Sequence, residues 1–142
     1  MTSRLTRFHS LALLAAASSF AVTVAHSQET WNYKSYIKDR NSGQYFKDKF
    51  VTSTVSVTEK DGKAVFRMIT SGKGDPCISA GDLPAEVERS AETTTVTVTP
   101  PLAGCEPFRY VVKNDGSGGV RFARRNEQWV PDGFDHDLTP KK

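Results

Sequence analysis

Histidine is scarce in this chain: beyond the first 27 residues it occurs once, at His136. That shortage removes most hydrolytic machinery, because a Ser-His-Asp arrangement would have to take His136 as its base, close to a chain end where rigid positioning is hard to obtain. Zinc catalysis needs three protein ligands and an open position, and the donors for it are missing too. Only two cysteines are present, Cys77 and Cys105, and their spacing excludes a CxxC redox pair. There is no GxxxxGK[ST] phosphate loop, no internal repeat and almost no helical periodicity. Carboxylates for glycoside hydrolysis can come from distant parts of a sequence, but nothing here nominates a pair. A non-enzymatic protein without metal or cofactor is the expectation.

Long apolar runs are confined to the beginning. Arg4 and Arg7 precede a run from Leu11 to Ala17 that continues through Phe20 to Val24, and small residues then allow cleavage after Ala25 or, preferred here, after Ser27. Ser18, Ser19 and Thr23 interrupt the run, which falls short of the roughly 20 apolar residues a membrane span requires. Residues 1–27 read as a secretory signal peptide and residues 28–142 as one small domain, periplasmic or secreted, with no transmembrane span after cleavage. The leader holds two of the 19 basic residues and none of the 16 acidic ones, so the remainder carries 17 against 16. A balance so close to neutral gives no reason to expect a nucleic-acid partner. In an oxidising compartment the two cysteines read as a disulfide, worth about 3 to 4 kcal/mol in the chain-entropy picture.

What the sequence has in abundance is alternation. In FVTSTVSVTEKDGKAVFRMIT, residues 50–70, apolar and hydroxylic residues alternate on both sides of Asp61-Gly62, a dipeptide suited to a two-residue type I′ turn. The turn sets Lys60 against Lys63, Val57 against Phe66, Val55 against Met68 and Ser53 against Thr70. Trp31, Tyr33 and Ile37 alternate with polar residues in WNYKSYIKD, as do Val96 and Val98 with threonines in TTTVTVTP. GDLPAEVERSAE fits either a short helix capped by Asp82 or a strand from Ala85 to Ser90. PFRYVVKN and GVRFARR flank a glycine-rich stretch; a loop from Asn114 to Gly118 sets Val112 against Val120 and Tyr110 against Phe122. As a calcium loop that stretch fails on ligand count, with one carboxylate, Asp115, and no distal glutamate. Seven or eight short strands argue for an all-β fold, a small antiparallel meander forming a closed or nearly closed barrel, with a two-sheet sandwich as the alternative. The closing TPKK reads as a frayed tail.

Four features qualify as sites. On the second hairpin Arg109, Lys113, Arg121 and Arg125 are expected on the outer face with Trp129 nearby, a basic stripe suited to an envelope protein, an anionic polymer or a lipid surface. Asp132, Asp135, His136 and Asp137 could converge on a divalent ion, although a polar surface turn is the preferred reading. In DRNSGQYF a polar turn presents Ser42 and Tyr45 beside Arg40. Ser42-Gly43-Gln44-Tyr45 is similar in character to the serine-glycine-tyrosine loop of bacterial lysozyme inhibitors, small exported β-barrels with a disulfide, and that resemblance implies an inhibitor-like binding role. It covers four residues; the stretch is one residue shorter than that family's pattern, and the family's tyrosine–cysteine signature is missing. The leading expectation is an exported non-enzymatic binding protein acting through its loops and basic hairpin. The alternative is a lipocalin-like carrier enclosing a small apolar ligand among Trp31, Tyr33, Phe66, Met68, Tyr110 and Phe122.

Overall fold

A computed structural model describes residues 27–134 and 136–142. The expected leader therefore lies outside the described residues apart from Ser27, which begins the first strand. The strands are β1 (Ser27–Lys38), β2 (Tyr45–Lys60), β3 (Lys63–Thr70), β4 (Leu83–Arg89), β5 (Thr93–Val98), β6 (Phe108–Lys113), β7 (Gly119–Arg125), β8 (Gln128–Pro131) and β9 (His136–Pro140). One short helix, α1 (Pro76–Ser79), stands between β3 and β4. The strands form one antiparallel sheet in the order β8-β7-β6-β5-β4-β3-β2-β1-β9. Each strand pairs with its sequence neighbour except β9, which returns to pair with β1.

The sheet is not a closed barrel. It curls until its inner faces meet, yet no backbone ladder joins β7 or β8 to β9. The curl is visible in contacts between strands far apart in the sheet: Tyr33 on β1 meets the Tyr110 ring of β6 edge-on at 5.9 Å, and Phe66 on β3 stacks on Tyr110 at 5.8 Å. At the other end Arg89 of β4 reaches Glu29 of β1 and Glu59 of β2. Along the open seam Leu138 of β9 fills the space beside Gly119, where a Cβ would lie 3.0 Å from its Cδ2 and 2.9 Å from the Val111 carbonyl oxygen. A side chain seals the seam there in place of a hydrogen-bonded strand pair.

The β2–β3 hairpin has the register its turn dictates, Lys60 against Lys63 through Ser53 against Thr70. Both turn residues take positive φ, Asp61 at 53° and Gly62 at 74°, as a type I′ turn requires. Val96 and Val98 are buried as alternation demands, and GDLPAEVERSAE resolves as a strand, β4. Cys77 and Cys105 form the disulfide, tying α1 to the connection before β6. α1 has no periodicity to announce it; Asp75 caps it through the Cys77 N–H, with Pro76 in its first turn.

Three further expectations fail. Ile37 does not alternate inward with Trp31 and Tyr33: the β1–β2 register shifts between Tyr36 and Lys38, and Ile37 is left 45% exposed. The chain end is not frayed, because Thr139 and Pro140 belong to β9 and Lys141 N–H donates to the Thr30 carbonyl at 2.9 Å. The third failure is the β6–β7 register. Val112 faces Gly119 and Tyr110 faces Arg121, while Val120 and Phe122 sit opposite Val111 and Arg109 on the outer face. Lys113 N–H bonds the Gly118 carbonyl, so the loop is one residue shorter than the expected Asn114–Gly118 and every β7 side chain changes face.

Candidate functional site

That slip divides the expected basic stripe. Arg109 and Lys113 keep the outer face, and Arg124 joins them, directly opposite Trp129 of β8. The guanidinium carbon of Arg109 lies 4.3 Å from the centroid of the Trp129 ring and that of Arg124 lies 6.0 Å from it, a tryptophan held by two cations. Arg125, paired with Gln128, alternates with Arg124 and does not belong to this stripe. Arg121 is the true departure, because it points into the curl.

Inside, Arg121 belongs to a chain of polar groups. Asp132 and His136, whose side chains are only 5% and 6% exposed, meet through His136 Nε2, 3.1 Å from both carboxylate oxygens. His136 Nδ1 lies 2.7 Å from the Tyr33 hydroxyl. A single neutral tautomer satisfies all of this: Tyr33 O–H donates to Nδ1 and Nε2–H donates to Asp132. Arg121 Nε stands 3.4 Å from Asp132 Oδ2. Burial alone would raise the Asp132 carboxyl, but the bonds from His136 and the Phe134 N–H, with the charge of Arg121, hold it below the ordinary carboxylate range. The order Tyr-His-Asp has the outline of a relay for a nucleophile. Its electrostatics run the other way, since burial raises Tyr33 and the phenol keeps its proton.

Of the acidic segment read as a possible ion site, then, Asp132 and His136 converge on each other, Asp137 accepts from the Tyr36 hydroxyl at 2.7 Å, and Asp135 lies outside the described residues. Among the described residues no three such donors gather around one point.

The feature that sequence reading missed is an arm. β2 begins at Tyr45 but pairs with β3 only from Ser53, and β9 pairs with β1 only over Trp31–Ser35. Among the described residues the hairpin from Tyr36 to Phe50 therefore has no third strand. Two strands alone are marginal in water, and side chains fasten them: Tyr36 to Asp137, and the Tyr45 hydroxyl to the Gly133 carbonyl at 2.9 Å. Lysines cover the rings. Lys34 lies 4.4 Å from Phe50, Lys49 lies 4.3 Å from Phe46, Lys47 lies 5.2 Å from Tyr36 and Lys38 lies 5.7 Å from Tyr45. Residues 34–50 carry five cations against two acids. At the tip Ser42 donates to Asp39 at 2.9 Å, so Ser42 and Tyr45 are both engaged in holding the arm. The available signal was the interleaving of lysine with aromatics on both sides of NSGQ.

Next to the arm, the outer face of β9, β1, β2 and β3 forms a groove of about 650 Å³ lined by Asn32, Lys34, Thr52, Thr54, Ile69 and Thr139. It runs from a hydroxyl- and amide-rich floor to the lysine shared with Phe50. No known protein family, curated protein or solved structure matches this chain.

Proposed function

We propose that this is an exported, non-enzymatic binding protein that lays an anionic polymer along the outer groove and against the lysine–aromatic arm. One observation carries the reading: Lys34 belongs both to the outer groove of about 650 Å³ and to the ring-and-lysine cluster of the unpaired arm. Hydroxyls and an amide suit the polar backbone of such a polymer, and the cation excess of the arm favours its charge. The Arg109–Trp129–Arg124 patch is a second cationic surface on the same outer face of the sheet. Export accords with the leader and with the disulfide.

An apolar ligand carried inside is the weaker reading, because Phe66, Phe108 and Tyr110 occupy the centre of the curl in mutual ring contact. Retention on immobilised heparin tests the proposal. Lys34→Glu with Lys47→Glu is expected to move elution to distinctly lower salt, and Arg109→Glu with Arg124→Glu to move it less. If the parent protein is not retained at all, or both pairs elute with it, the polymer reading fails. Sedimentation with anionic vesicles in place of heparin binding would transfer the surface to lipid.

A further inference from the structure

We propose that the mouth of the curl, where inner-facing residues of β1, β2, β3 and β7 meet the segment before α1, binds a small oxyanion, a carboxylate or phosphate group. A cavity of about 180 Å³ opens there, with Tyr33, Ser35, Ser53, Lys73 and Arg121 in its wall. It is much smaller than the outer groove and has room for a group of a few heavy atoms. The wall carries two cations, Arg121 and Lys73, against one acid, Asp75. Asp75 is already committed, accepting the Cys77 N–H as the cap of α1.

Unsatisfied polarity points the same way. Arg121 Nε is buried and makes no hydrogen bond: Asp132 is close enough for charge but badly aligned, and its carboxylate is shared with His136. The Tyr110 hydroxyl is buried without a partner as well. Buried polar atoms in native structures are nearly always paired, and Arg121, which lines the cavity, has a buried donor still without an acceptor. An oxyanion supplies acceptor atoms and the countercharge together.

The rim is built in advance. A Cβ at Gly74 would fall 2.6 Å from Ser79 Oγ and 2.9 Å from Thr70 Cγ2, so this backbone lies directly on the end of β3 and on α1. The disulfide fixes α1 from the other side, and Lys73 lies next to Gly74 in the wall.

Titration of the folded protein with inorganic phosphate, and separately with acetate, tests this by following the Arg121 Nε–H resonance by NMR against chloride at equal ionic strength. A saturable shift is expected from at least one probe, and which one saturates assigns the class. Arg121→Gln disturbs a buried group and can fail to fold, so Lys73→Gln and Ser53→Val carry the test, each expected to weaken binding about threefold or more. Lys34→Glu should leave the titration unchanged, which separates this site from the polymer surface. Shifts that track chloride without saturating, or saturable binding indifferent to both variants, would overturn the proposal.

Discussion

The β2–β3 and β6–β7 hairpins look alike in sequence, two alternating arms around glycine, and they behave differently. Around Asp61-Gly62 the turn allows one loop length, both φ values are positive, and every pair follows from local rules. Around Asn114–Gly118 several glycines tolerate several loop lengths, and the choice between them is tertiary. Asn114 is bound to the β4–β5 turn, its N–H donating to Glu92 O and its amide to Ser90 O and Ala91 O. Glycine at 119 is what lets Leu138 close the seam. The register that results sends an arginine inward where alternation would have sent a phenylalanine, and Asp132 and His136, contributed from beyond β8, make that tolerable.

Removing the compensation should produce the largest effect. Asp132→Ala leaves Arg121 buried without its carboxylate and is expected to cost about 3–5 kcal/mol, measured by urea denaturation, a large share of the ~5–15 kcal/mol available to a small domain. A loss below about 1 kcal/mol would mean that Arg121 swings out and that the inward register is not enforced. The glycines offer a finer contrast. Gly119→Ala forces a Cβ to 2.9 Å from a carbonyl oxygen and should cost about 1–3 kcal/mol through displacement of β9. Gly62→Ala meets nothing within 4 Å, and its φ of +74° alone should cost about 1 kcal/mol. Equal losses would remove the distinction between a position set by packing and one set by backbone conformation.

Legibility follows the same division. The all-β class, the β2–β3 register and the buried Val96 and Val98 were readable because period-two alternation and a two-residue turn act over a few residues, and the disulfide because the chain has only two cysteines to pair. Closure of the sheet was not readable, because it depends on how far nine strands curl and on a single leucine at the seam. Of the candidate site residues, Arg109 and Lys113 lie on the anticipated outer face, with Trp129 beside Arg109. Arg121 does not, since its face hangs on one residue of loop length. The buried Tyr33–His136–Asp132 chain joins residues about a hundred positions apart, and proximity of that kind leaves no trace in local pattern.

Acid titration gives the smallest effect and isolates the compensating carboxylate. The folded-state pKa of Asp132 lies below its ordinary value, so its contribution to stability is complete above the unfolded pKa of about 3.9 and is lost as pH falls through the lower folded value. Asp39 and Asp115 are depressed as well, Asp39 by the Asn41 N–H and Ser42 hydroxyl and Asp115 by Ser117, so the wild-type slope in acid is a composite. The informative quantity is the difference from Asp132→Asn, which keeps the shape and removes one titrating group. As pH falls below the unfolded value of about 3.9 the wild type should lose stability more steeply than the variant, by no more than ~1.4 kcal/mol per pH unit for one proton, and well above that value the two curves should run parallel. Parallel curves throughout would show that Asp132 titrates alike folded and unfolded, and the inward arginine would then owe its place to packing against Phe108 and Tyr33 rather than to charge.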